Sequence, residues 1–196
     1  MEKINFIKTF IPQGDFREKY EHGGMMVRHL AAVLDEKMGA YECYECTVPI
    51  GEYDEGEIQK AFVEFSAKMD ALKLKQAKAD KIAEITSYDT SSSVNGFMLN
   101  GLLVWLDKAT RVGLMNSTTI AKAAGQKTTT LWLGGIKLVV DCDKAIQLLS
   151  ALEMYALECF NVTASHKQAV SELTTIEEVE AYDYKAGYPK MLSMSV

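Results

Sequence analysis

The longest run of patterned hydrophobic positions lies between Asp143 and Leu173. Ala145, Leu149, Leu152, Ala156, Cys159, Thr163, His166, Val170 and Leu173 recur at alternating steps of four and three. Leu148, Tyr155, Val162 and Ala169 widen that stripe, and Lys144, Gln147, Glu153, Glu158, Lys167 and Glu172 fall largely outside it. Side chains three and four residues apart share one face of an α-helix, so the pattern predicts a long amphipathic helix with a broad core-facing side. Asp143 is its expected N-cap, with a carboxylate facing the positive end of the helix dipole.

A second helix is predicted from Asp54, which forms with Glu57 a start signal close to a capping box. Ile58, Phe62, Phe65, Met69, Leu72, Gln76, Ala79 and Ala83 keep the four-three alternation to about Ile85, with the seam fading at Gln76. Lys68, Lys73, Lys75, Lys78 and Lys81 are expected in solvent on the other face. Such a helix can serve as a connector packed on its own chain, or as a coiled-coil seam for self-association or for a fibrous partner. Phe62, Phe65, Met69 and Leu72 are the candidate interface residues on that seam.

Before this helix the pattern turns to strands. INFIKTFIP reads as a first strand stopped by Pro12 and the turn-like Gln13-Gly14-Asp15. Residues 15–24 are polar and end in Gly23-Gly24. Met25, Val27, Leu30, Val33 and Leu34 fit either a short helix or a strand. Lys37-Met38-Gly39 turns into a strand from Ala40 to Ile50, where Pro49 marks an edge or a strand terminus. Residues 1–53 therefore read as a small β-rich module with little core of its own.

After the helix, the polar, serine-rich SYDTSSSVN (87–95) reads as a linker to a second domain, 96–196. That domain opens with a hairpin turning at Asn100-Gly101. Asp107 then caps a helix through Ala124, with Val112, Met115, Thr119, Ile120 and Ala123 on its inner side and Gly125 just past its end. A second hairpin turns at Gly134-Gly135 ahead of the long helix. Thr175 with Glu178 forms a capping box for a short last helix before the turn-like YDYKAGYP. The fold class is α+β: a β-rich N-terminal module (1–53), a long connector helix (54–86), the linker (87–95), and a C-terminal domain (96–196) of two hairpins packed on helices.

Composition narrows the function classes. The chain has 196 residues, 48% of them hydrophobic and 24% charged, as expected of a folded protein. A formal charge of −6 and a pI near 5.2 disfavour a general nucleic-acid or anionic-membrane binder. No apolar run reaches the roughly 20 residues of a spanning helix. The charged, proline-broken N-terminus is unlike a signal peptide, so the expected location is a cytoplasm.

Candidate chemistry is sparse. Cys43-Tyr-Glu-Cys46 has CxxC spacing, but no second pair completes a zinc ribbon. The motif lies in a strand, where residues three apart point to opposite faces. Cys159, on the helical stripe, reads as a small core residue. His22, His29 and His166 share no ligand spacing, and His166 fits a hydrogen-bonded core histidine. GxxxxGK[ST], GxGxxG and GxSxG are all absent, so no phosphate loop or nucleophile elbow is indicated. Glu177, Glu178, Glu180 and Asp183 reflect helix-start polarity more simply than a cation site. Trp105 and Trp132 are expected in the core. Tyr182, Tyr184 and Tyr188, interleaved with Asp183, Lys185 and Gly187, read as surface aromatics suited to a protein interface. No catalytic residue, cofactor or metal is expected.

The segments FMLNGLLVWLDKATRVGLMNSTTIAKAAGQKTTTLWLGG and ALEMYALECFNVTASHKQAVSELTTIEEVEAYDYKAGYP, within about residues 70–190, resemble a phage- and prophage-associated domain of unknown function. IKTFIPQGD and YECTVPIGEY are similar to segments of Bacteroides-type phage proteins. Domains of this kind accompany tail and tail-fibre genes. The resemblance implies a tail- or fibre-associated protein acting through protein–protein contacts, as a virion component or an assembly chaperone. Its partners would be other tail or tail-fibre proteins, or further copies of itself, with no nucleic acid and no membrane. It would be made in the bacterial host cytoplasm and, as a component, enter the virion. The alternative is an early phage factor that binds and inhibits a host defence or regulatory protein. An enzyme using Cys43, Cys46, His22 or His29 ranks below both.

Overall fold

The structure, a computed structural model, describes residues 4–195. It is mixed α/β, with strands first, then a long helix, then strands and helices together. The chain divides into two compact units between Lys73 and Leu74.

In the first unit, β1 (Ile7–Pro12), β2 (Lys19–His22), β3 (Met25–Asp35) and β4 (Ala40–Pro49) form an antiparallel sheet in the order β1-β4-β3-β2. The ambiguous stretch after Gly24 is thus a strand. Gly23 and Gly24, at φ 58° and 78°, make the two-residue turn that pairs His22 with Met25. Between Leu30 and Val33 the register slips, with Ala31 at φ 50°, which is a β-bulge. Pro49 closes β4, a central strand, so its missing N–H is tolerated by terminal position rather than by an edge.

One face of this sheet buries Met26, Leu30, Cys46 and Val48 against Ile58 and Phe62 of α1 (Glu55–Asp89). The core that the β-rich residues lack is supplied by the first turns of the helix. Phe6 adds a ring 5.3 Å from Phe62 and 5.2 Å from Phe65. On the other face, Phe16 stacks on Tyr41 at 4.1 Å. There buried His29 lies near Phe16 and Tyr20, its ring nitrogens facing the Arg17 carbonyl and the Glu45 carboxylate.

Helix α1 begins with the expected reciprocal cap: Glu57 N–H donates to Asp54 and Asp54 N–H donates to Glu57. Beyond Met69 its buried face departs from the sequence pattern. Leu72 is 58% exposed and Gln76, Ala79 and Ala83 are exposed, whereas Leu74, Ala77, Ile82 and Ile85 pack inward. An even four-three spacing marks several overlapping stripes in this alanine- and lysine-rich stretch. The neighbouring elements choose among them.

The second unit carries two further sheets. β5 (Phe97–Leu99), β6 (Leu102–Val104) and β9 (Ser193–Met194) form one in the order β6-β5-β9, β9 lying parallel to β5. β7 (Thr128–Leu133) and β8 (Ile136–Asp141) form the second hairpin. Between them runs α3 (Lys108–Ala123), and after them α4 (Cys142–Glu172) and α5 (Ile176–Ala181). Leu149, Leu152, Tyr155 and Cys159 of α4 meet Phe97, Leu99, Leu131 and Leu133 in the main core, so the long stripe is the centre of this unit. A smaller cluster joins Ile85 of α1, Val170 of α4 and Val179 of α5.

Four expectations are corrected here. The cap of α4 is Asp141, accepting from the N–H groups of Asp143 and Lys144, while Asp143 pairs with Lys122. The inner side of α3 carries Arg111, Leu114, Met115 and Thr118, whereas Val112 and Ile120 are exposed. Trp105 and Trp132 are 41% and 58% exposed and are not core. Residues 87–95 are not an open linker. Ser87–Asp89 continue α1, Ser91 caps α2 (Ser92–Asn95), and Val94 is 1% exposed. The polar residues there serve a tight corner: Asn95 Nδ2 donates to the Asp89 carbonyl at 2.6 Å.

Candidate functional site

The second unit contains a groove of about 620 Å³, a size typical of ligand and side-chain sites. The 89–95 corner contributes Asp89, Thr90 and Asn95; the approach to α3 contributes Trp105 and Leu106; α3 contributes Asp107, Lys108 and Arg111. The wall is α4, with Glu153, Ala156, Leu157 and Phe160.

Each component is held by local chemistry. Asp107 caps α3 through the Thr110 N–H at 2.8 Å and also accepts from the Thr110 hydroxyl at 2.6 Å. That hydroxyl, then the backbone donor, holds the Asp107 carboxyl below its ordinary value. Arg111, 8% exposed, donates from Nε to Glu153 at 2.8 Å and from Nη1 to the Leu106 carbonyl at 2.8 Å. A buried guanidinium paired and bonded in this way fixes the chain between β6 and α3 onto α4. The corner is fixed as firmly: Tyr155 Oη donates to the Val94 carbonyl at 2.7 Å and Cys159 Sγ approaches the same oxygen at 3.4 Å. Burial pushes the Tyr155 hydroxyl up to about 12 and raises the Cys159 thiol.

Above this polar floor the walls are bare hydrocarbon. Trp105, Leu157 and Phe160 are 41%, 49% and 60% exposed, and Met154, one turn before Leu157, is 59% exposed. Neither Trp105 nor Phe160 has a ring partner among the described residues. The pattern along α4 contains this second face: Met154, Leu157 and Phe160 follow at steps of three, off the main stripe. Residues of these types suit a core as well as a surface, and the sequence does not show that they stay exposed.

The residues expected at an interface are placed differently. Phe62 is buried in the first unit's core with Phe65 packed beside it, and Met69 is half-buried. Of these four seam residues, Met69 and Leu72 belong to neither hydrophobic cluster that α1 joins, and Leu72 is the exposed one. The three tail tyrosines are half-buried and tie the tail to its own unit. Tyr182 Oη bonds His166 Nδ1 at 2.9 Å, whose Nε2 donates to the Ala186 carbonyl, and Tyr188 Oη bonds Thr163 at 2.9 Å. Tyr184 packs edge-on to Tyr88, with Lys81 near its ring. The hydroxyls of Tyr182 and Tyr188, read from sequence as surface character, are satisfied by α4.

Cys43 and Cys46 are both buried, and only Cys46 belongs to the cluster under α1, consistent with opposite faces of β4. Burial raises both thiols. Among the described residues no three His, Cys, Asp or Glu side chains converge as a metal would require. None of the described helices is long and apolar enough to cross a membrane.

No curated protein and no solved structure matches the chain. A family model does, over residues 76–186, more than half of the chain and a range that includes every residue lining the groove. The chain belongs to the family of the domain of unknown function DUF4376.

Proposed function

We propose that this chain is a non-catalytic protein-binding component of a phage or prophage tail or tail fibre, acting as a virion component or as an assembly chaperone. The observation that supports binding is the contiguous apolar wall of Trp105, Leu157 and Phe160 around the groove, with Met154 adjoining it. Single exposed hydrophobic residues are ordinary, but a cluster on a rigid scaffold beside a shaped cavity marks an interaction surface. The groove is built on two helices and a braced corner, so it is preformed and loses little conformational entropy on binding. The phage setting is supported by the resemblance of residues about 70–190 to phage-associated sequences.

On this reading the protein is made in the host cytoplasm and meets other tail or fibre proteins there. The test is co-purification of the tagged full chain from a strain carrying its gene. The expected result is a tail or tail-fibre protein held at fixed stoichiometry. A strictly monomeric chain that retains no such protein would overturn the proposal.

A further inference from the structure

The charges of the groove specify its occupant more narrowly than its apolar walls do. Three carboxylates line it, those of Asp89, Asp107 and Glu153. Glu153 is matched by Arg111. Among the described residues the other two are held by neutral donors: Asp89 by the Thr163 hydroxyl at 2.7 Å, Asp107 by Thr110. Lys108 also lines the groove, but it is exposed and lies on the α3 side. At the corner, Asp89 is accompanied by Asn95, whose amide nitrogen is already engaged with the Asp89 carbonyl and whose oxygen is left as an acceptor. That end of the groove is therefore rich in acceptors and, among the described residues, is lined by no cation. A neutral or anionic group seated there would leave a partly desolvated carboxylate unmatched.

Two aromatic faces without ring partners stand beside these carboxylates. An aliphatic stem ending in a cation satisfies both features, packing its methylenes on Leu157, Trp105 and Phe160 and gaining cation–π attraction. We propose that the groove holds a lysine or arginine side chain from a segment of the partner protein, its stem between Trp105 and Phe160 and its charged head at Asp89. This rests on the protein-binding reading above and names the chemistry of the partner.

The test uses the full chain carrying Trp132→Phe, which leaves Trp105 as the single tryptophan, since the chain has two. The probes are blocked heptapeptides with a central arginine flanked by leucines, and the same peptide with central glutamate or norleucine. The arginine peptide should shift Trp105 emission saturably, with at least tenfold weaker binding of the other two. Asp89→Asn, which keeps an acceptor for Thr163, should abolish that preference without lowering the melting temperature appreciably. Phe160→Ser, at an exposed position, should weaken the arginine peptide several-fold. Equal or tighter binding of the glutamate or norleucine peptide would overturn the proposal, as would absence of binding by all three. Failure of the two ideas is distinguishable. If Asp89→Asn and Phe160→Ser both still retain the tail protein, this site is wrong and the protein-binding reading stands; if the unsubstituted chain retains none, the reading itself fails.

Discussion

Lys78 of α1 donates a 2.7 Å hydrogen bond to the carbonyl oxygen of Ser171, 93 residues further along the chain. Ser171 lies in the last turn of α4, whose final carbonyls have no partner within the helix. One turn on, Lys81 reaches the Glu180 carbonyl at the end of α5. The two lysines thus place positive charge at the negative ends of two helices that have no basic residue in their own last turns.

Lys78→Met keeps the stem and removes the charge and the donor. It should lower stability by about 1 kcal/mol, the upper range of an exposed dipole interaction. Lys75→Met, at an exposed position on the same helix, should change stability by less than about 0.5 kcal/mol. Urea unfolding followed by circular dichroism measures both. Equal effects would show that Lys78 is an ordinary surface lysine.

Neither lysine contact was legible in the sequence. A lysine-rich helix face reads as solvated because its partners lie about a hundred residues away and only the packed fold brings them near. Strictly local signals were legible. Asn100-Gly101 turns at φ 49° and 82°, a conformation that favours those two residues, and Gly125 at φ 80° closes α3, its N–H on the Lys122 carbonyl. The capping box of Thr175 and Glu178 forms as its spacing implies. The phases of α1 beyond Met69 and of α3 were not legible, because small and polar residues there allow more than one buried face. The groove was missed for a related reason. Its walls are hydrophobic residues identical in type to core residues, and exposure is a property of the fold.

Asp141→Ala should cost α4 about 1 kcal/mol, since it removes the acceptor of two N-terminal N–H groups. Asp143→Ala removes an exposed pair with Lys122 and a first-turn charge facing the helix dipole but no capping acceptor, and should cost less, about 0.5 kcal/mol. Thermal unfolding of the two variants decides which aspartate is the cap, and the reverse order would contradict the assignment.

Tyr155→Phe leaves the Val94 carbonyl with the weaker thiol donor alone and should destabilise the chain by about 1–2 kcal/mol. The same hydroxyl gives a pH dependence. An unfolded tyrosine loses its proton near 10, the folded Tyr155 at about 12, so its contribution is fully present below pH 10 and is lost as pH rises towards 12. Urea midpoints between pH 9 and pH 12 should fall more steeply for the unsubstituted chain than for Tyr155→Phe. Parallel curves would remove Tyr155 as the cause.

All four cysteines are free and buried, and burial keeps Cys43, Cys46 and Cys159 above the ordinary thiol range. Alkylation by iodoacetamide at pH 8 should therefore be slow in the folded chain and complete in urea. Rapid native modification at Cys43 or Cys46 would restore the case for thiol chemistry.

The most direct test of the central claim compares two full chains, the natural sequence and Leu157→Lys, in a strain carrying the gene. Quantitative mass spectrometry is applied to purified phage particles and to affinity captures from the lysate. Leu157 is 49% exposed, so the substitution should leave the fold intact while placing a charge in the apolar wall. The account predicts that the natural chain accompanies tail or fibre proteins in the particle or in the capture, and that Leu157→Lys, whose cation would repel the basic side chain held in the groove, loses them at least tenfold. Capture of host regulatory or defence proteins alone, or equal retention of tail proteins by both chains, would contradict it.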